Sequence, residues 1–274
     1  ISCQYVRDEL ATDKLRYAPM LDTCAFQKAE AIVLKKRDLR ETSVLLTLYS
    51  REFGKILGVM KGLRAQRIGQ YSVSPQVFSV NEIVFYERSK KDIFTVSTCE
   101  LKEYFSAIRE DLKKTVYASY FVELADSLTP QGEDSRQMYD LLLNGITSLA
   151  GPYSEKRIAR MFEIKLLSLL GVMPILSQCV LCGSPEIEGE SWFSMEHGGS
   201  VCGKCGPKER ALVPMLSGTI RFIEHINRLE WEKVLRIKVS EDVGRQLEDF
   251  LQRFLAFHLH IKPKALEFAD KVGV

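Results

Sequence analysis

Two cysteine pairs constrain this chain more than any other feature. Cys179-Val180-Leu181-Cys182-Gly183 and Cys202-Gly203-Lys204-Cys205-Gly206 are two CxxC knuckles, each closed by a glycine, with nineteen residues between Cys182 and Cys202. Four thiols at this spacing predict a closed tetrahedral Zn2+ site made by Cys179, Cys182, Cys202 and Cys205. Gly183 and Gly206 free the backbone to fold back beneath the ion. Four cysteine ligands leave no open coordination position, so the metal is expected to hold a small fold together and do no chemistry. His197 lies between the pairs. With the shell already full it reads as a surface residue, or one that touches the site from outside.

At 274 residues the chain is long enough for two modest domains besides the zinc module, and an apolar content of 46% supplies a core. The net charge of +2 says little, but its distribution says more. Residues 27–105 carry fourteen Lys/Arg against nine Asp/Glu, a local net of +5. The positive charge is therefore concentrated in the amino-terminal half. Beyond the four paired thiols only Cys3, Cys24 and Cys99 remain. That odd remainder, beside a thiolate metal site, points to a reducing cytosol. No apolar run approaches the length of a membrane span. The chain reads as soluble and cytoplasmic.

Residues 1–26 mix charges with scattered apolar side chains and read as an extension, with a short amphipathic helix over 6–15 as its one candidate element. From Glu30 the period becomes two. Ala31–Leu34, Val44–Tyr49, Ile56–Met60, Val80–Tyr86 and Ile93–Cys99 are short β-branched and aromatic runs separated by charged turns. Five such strands within residues 27–104 fit a small closed barrel of the OB type. A five-stranded SH3-like barrel has the same strand count, and periodicity does not separate the two.

Past Leu101 the period becomes helical. Phe105 to Leu128 predicts one helix, and a second starts at Asp134 or Ser135 and ends before Gly151-Pro152. A third is capped by Ser154 and is apolar on almost every side from Ile158 to Leu170, the mark of a bundle centre. Ser217–Leu229 and a longer helix capped by Ser240 follow the cysteine pairs. The fold class is thus α+β: an N-terminal barrel, then a helical domain over 105–274 with the zinc finger inserted at 177–208. The finger is expected to splint the third helix to the last two.

Three basic clusters accompany the barrel loops: Lys35, Lys36, Arg37 and Arg40; Lys61, Arg64 and Arg67; Arg88, Lys90 and Lys91. In an OB barrel the loops between strands one and two and between four and five flank the nucleic-acid groove. Phosphates need positive charge along a track, and bases need exposed rings to stack on, for which Tyr49, Phe53, Tyr71 and Tyr86 are the candidates. Enzymatic signatures are missing. Gly54, Gly58 and Gly62 match neither a dinucleotide nor an NTP fingerprint, no GxSxG occurs, and the four histidines form no metal-ligand pattern. The expectation is a binding protein, not an enzyme.

Together these parts resemble the bacterial RecO family of recombination mediators. The resemblance rests on E-A-I-V-L (Glu30 to Leu34), L-T-L-Y-S-R-E-F-G-K (Leu46 to Lys55), M-K-G-L-R (Met60 to Arg64), F-E-I-K-L-L-S-L-L-G (Phe162 to Gly171), the paired CxxC motifs and F-L-A-F-H-L (Phe254 to Leu259). It covers roughly Gln27 to the end, and residues 1–26 depart from it. It implies an OB barrel, a helical domain and a zinc finger in a nucleoid-associated protein. Also implied are binding of single- and double-stranded DNA, strand annealing, and help in loading recombinase onto coated DNA. RecR and the carboxy-terminal tail of the single-strand-binding protein are the partners it implies. Lys61 and Arg64 match its K-G-x-R stretch. For the tail, Arg157 and Arg160 beside Ile158, Met161 and Phe162 offer a guanidinium at the mouth of an apolar groove. The competing reading is a zinc-stabilised RNA-binding or scaffold adaptor built on the same barrel.

Overall fold

In a computed structural model of the chain, the residues described are 26–40, 43–61, 75–86, 93–131, 136–185 and 191–273. The expected extension therefore lies outside the described residues but for Phe26. Five strands close a barrel: β1 (Gln27–Arg40), β2 (Ser43–Ser50), β3 (Gly54–Lys61), β4 (Val80–Tyr86) and β5 (Phe94–Glu103), in the order β1-β2-β3-β5-β4 with β4 returning to β1. Every pair is antiparallel except β3 with β5, which run parallel from Gly58↔Phe94 to Met60↔Val96. That single parallel pair marks the OB topology and removes the SH3-like alternative.

The period-2 pattern explains the closure. Val44, Leu46 and Leu48 of β2 and Ile56 and Met60 of β3 point inward to meet Ile83, Phe85 and Val96. Gly58 sits on the same inward row, where a Cβ would come within 2.6 Å of Val96 Cγ2. Ala31-Ile32-Val33-Leu34 is apolar without interruption because β1 is buried on both faces. Ala31 and Val33 enter the barrel core, while Ile32 and Leu34 join the helical core with Tyr49.

One expectation is corrected here. Lys35 to Arg40 is not a turn. β1 continues to Arg40 and pairs with β2 as far as Arg40↔Ser43, with register shifts between Val33 and Lys35 and between Asp38 and Arg40. Two irregularities within a hairpin arm disrupt alternation, so its charged residues read as a loop in sequence.

The helical domain opens with α1 (Ser106–Arg109) and α2 (Leu112–Leu128) rather than one continuous helix. Asp111 interrupts it. Its backbone is extended, and its carboxylate accepts from Lys113 N at 2.9 Å and Lys114 N at 3.2 Å, which caps a new helix. α3 (Arg136–Ala150) and α4 (Glu155–Leu169) pack against α2. Phe121 and Phe162 stack with centroids 4.2 Å apart at 15°. Gly145 lets α3 approach that stack, since a Cβ would lie 2.9 Å from Phe162 Cδ2. Every residue from Ile158 to Ile164 is buried, as a bundle centre requires. Removing a ring such as Phe162 from this core would cost about 3–5 kcal/mol.

After α4 comes a three-stranded sheet, β6 (Ser191–Ser194), β7 (Gly199–Val201) and β8 (Leu212–Met215), in the order β7-β6-β8. Then follow α5 (Ser217–Arg228), α6 (Trp231–Val234), α7 (Glu241–His258) and α8 (Lys264–Val272). The sheet, α6 and α8 were not legible as periodic runs. The cysteine module docks chiefly on α7: Phe193 meets Phe250 at 4.8 Å and Phe254 at 6.0 Å. A main-chain bridge from Ile175 to Gly199, just beyond α4, ties down its other side.

Candidate nucleic-acid interface and metal centre

The four cysteines are brought together by local hydrogen bonds. Gly183 N donates to Cys179 O at 2.8 Å and Gly206 N to Cys202 O at 2.9 Å, which turns each knuckle back on itself. The two glycines serve different ends. Gly183 has φ of +72°, which favours glycine, whereas a Cβ on Gly206 would overlap the Trp192 indole. All four Sγ atoms lie within 4.8 Å of one another, and Cys182 Sγ is 3.8 Å from Cys202 Sγ. Thiolates bound tetrahedrally at about 2.3 Å from zinc are about 3.8 Å apart, so the cluster has the dimensions of such a site.

The thiol electrostatics agree. Burial lifts the Cys179 thiol, but the N–H groups of Cys202, Cys182 and Leu181 outweigh it and hold the pKa at about 6. Cys202 is likewise held low, chiefly by the Cys205 N–H. Cys205 is pushed up to about 12, first by its contact with the Cys182 thiol. Four sulfurs this close cannot all ionise unless a cation neutralises them, and a divalent ion supplies that charge. His197 takes no part. Its Nδ1 lies 2.9 Å from Ser194 Oγ, away from the sulfurs.

On the barrel, the basic residues separate by environment. Arg37 and Lys61 are exposed and Lys36 is half-buried, on an arm whose Ser43 faces both Arg40 and Lys61 in register. Lys35 is instead paired with Asp126 of α2, whose carboxylate is only 13% exposed. Lys55, which the sequence did not single out, reaches the same aspartate. Arg64, Arg67, Arg88, Lys90, Lys91 and Tyr71 lie outside the described residues. Among the proposed stacking rings, Tyr49 is fully buried and cannot receive a base. Phe53 packs edge-on against Phe85 at 5.3 Å, and Tyr86 against Phe26 at 5.0 Å.

The two arginines of α4 also part company. Arg160 is 5% exposed. Its Nη2 donates to Glu163 Oε1 at 2.7 Å and its Nη1 to Glu248 O at 3.3 Å. Tyr120 Oη donates to the same Glu163 oxygen at 2.5 Å. Burial pushes the Glu163 carboxyl up, against the pull of Arg160 and Tyr120. Arg157 is half-buried and donates to Leu235 O. It lines a cleft of ≈ 380 Å³ between α4, α5 and the start of α7, with Phe222, Val239 and Leu247 as apolar wall and Lys156 and Arg245 at the side.

Residues 25–105 match the family described as Recombination protein O N terminal, and residues 109–267 match Recombination protein O C terminal. The chain belongs to the RecO family. A DNA repair protein RecO of Moorella thermoacetica is 32% identical over 248 residues, covering 90% of this chain and 91% of that protein. A DNA repair protein RecO of Desulforamulus reducens is 34% identical over 245 residues, covering 89% and 94%. That of Pelotomaculum thermopropionicum is 34% identical over 246 residues. No helix among the described residues of this RecO-family chain is long and apolar enough to cross a membrane.

Sequence reasoning missed the joint between the two RecO domains. Tyr139 Oη donates to Glu30 Oε1 at 2.7 Å, and Arg109 lies between the rings of Phe78 and Tyr104, 4.2 Å from each. A signal was available for Arg160 and Glu163: opposite charges three apart on a helix with no polar face can only pair with each other.

Proposed function

We propose that the chain is a recombination mediator without enzymatic activity. It binds single- and double-stranded DNA through the barrel, anneals complementary strands, and helps load recombinase on coated DNA together with RecR. The observation that carries this reading is the β1–β2 arm, where Lys36, Arg37 and Lys61 stand together beyond the closed part of an OB barrel. A track of cations there screens phosphates, and base pairing itself supplies the free energy of annealing, so no nucleotide hydrolysis is required.

Coated strands must also be engaged through the coating protein. The cleft beside Arg157 has an apolar wall and three flanking cations, which suits an acidic, apolar peptide ending in a carboxylate. This supports capture of the tail of the single-strand-binding protein there. Cys179, Cys182, Cys202 and Cys205 would hold one zinc ion. When bound it neutralises four thiolates and closes the module, without contributing to a reaction. The working location is the cytoplasm, on the nucleoid.

A salt titration tests the central claim. Replacing Lys36, Arg37 and Lys61 together by glutamine should reduce the slope of log K against log salt for single strands by about two. An unchanged slope would move the DNA site off the arm, to Lys204 and Lys208 of the zinc module.

A further inference from the structure

The β1–β2 arm carries one residue that its charge does not explain. β1 leaves β4 after Ile32↔Val80 and continues beside β2 alone, so residues 35–40 are held by hydrogen bonds on one edge only. Leu39 occupies the register shift between Asp38 and Arg40, the position of an extra residue in a β-bulge. Its side chain is 49% exposed. A single exposed leucine on a smooth surface calls for no explanation. This one differs in where the backbone puts it. The bulge turns it out of the ladder at the level of Ser43 and Lys61, with the exposed Arg37 two residues before it.

We propose that Leu39 is a wedge that inserts between adjacent bases of a bound strand. The inference rests on the reading of the arm as a DNA surface. Cations and an aliphatic tip make complementary demands on one ligand. Lys36, Arg37 and Lys61 suit the phosphates, and the leucine suits the apolar faces of bases exposed by opening one stack. Proteins that unstack nucleic acid use leucine, isoleucine or phenylalanine in this way, held by flanking cations that keep the backbone close. Opening a stack also suits the annealing role, because an unstacked, extended strand presents its pairing edges to a complement. A peptide partner fits the arm less well. The surroundings of Leu39 are cationic and solvated, with no apolar neighbours from which to build a groove.

The experiment uses the full chain and a single-stranded oligonucleotide carrying 2-aminopurine within the binding site and a fluorophore at its end. End-label anisotropy reports binding, and 2-aminopurine brightness reports unstacking. The parent should bind and brighten the probe. Leu39→Ala should keep the salt slope of the parent and lose most of the brightening, and Leu39→Phe should restore it. Equal brightening by the parent and Leu39→Ala overturns the wedge while leaving DNA binding in place. A reduced salt slope in Leu39→Ala also overturns it, since the leucine would then shape the arm rather than enter the stack. If the parent fails to shift the anisotropy even at low salt, the DNA reading of the arm falls first, and the wedge with it.

Discussion

Lys55 of β3 donates its Nζ to Asp126 of α2 twice over, at 2.6 Å to the main-chain oxygen and at 3.4 Å to the carboxylate. Its side chain is 16% exposed, so this pair joins barrel to helical domain in a largely dry setting. Asp126→Ala leaves that cation without its carboxylate and should cost about 1–3 kcal/mol in denaturant unfolding. The same aspartate neutralises Lys35. In the parent, Lys35→Gln should therefore change the salt dependence of DNA binding less than Arg37→Gln does. With Asp126 already replaced by asparagine, the two changes should have similar effects.

Freshly purified protein should contain one zinc per chain by elemental analysis. Cys202→Ser, or removal of the metal by a chelator, should lower the thermal stability of the carboxy-terminal half, because binding energy at such sites is folding energy. Gly206→Ala should do part of the same damage with all four thiols intact. The added methyl would overlap the Trp192 indole, which packs against the cysteine cluster.

Tail-peptide binding separates the two α4 arginines. Arg157→Ala should weaken binding of an acidic tail peptide with little change in unfolding, and Arg245→Ala should add to that loss. Arg160→Ala should instead destabilise the fold by about 3–5 kcal/mol, because Glu163 would remain buried without its partner. A calorimetric titration showing parent-like affinity for the Arg157→Ala, Arg245→Ala double variant would place the peptide elsewhere.

His258 gives the fold a pH dependence. Burial holds its pKa below the ordinary 6.5, with His260 adding to that and a main-chain contact from Met195 opposing it. The unfolded chain thus binds a proton that the folded chain resists. Stability is full above about pH 6.5 and falls as pH drops through that value toward the lower folded pKa. Unfolding midpoints at pH 7 and pH 5.5 should differ by less in His258→Gln than in the parent.

The sequence by itself determined whatever depends on short spacing. The CxxC knuckles predict their own cluster because each pair is closed by hydrogen bonds within five residues. The inward row of Val44, Leu46 and Leu48 predicts a strand because alternation is a property of the backbone. The stretch from Ile158 to Leu170 predicts a bundle centre because only burial on all sides tolerates so few polar positions. Short elements escaped this reading. Ser191–Ser194 and Trp231–Val234 span too few residues to show a period, and the bulges at Leu34 and Leu39 made an arm look like a turn. The role of each charge was decided only by tertiary structure. Lys35 and Arg37 are alike in sequence and two residues apart, yet the fold sets Asp126 beside one and solvent beside the other. Electrostatic free energy depends on distance and dielectric, and neither is written in the order of residues along the chain.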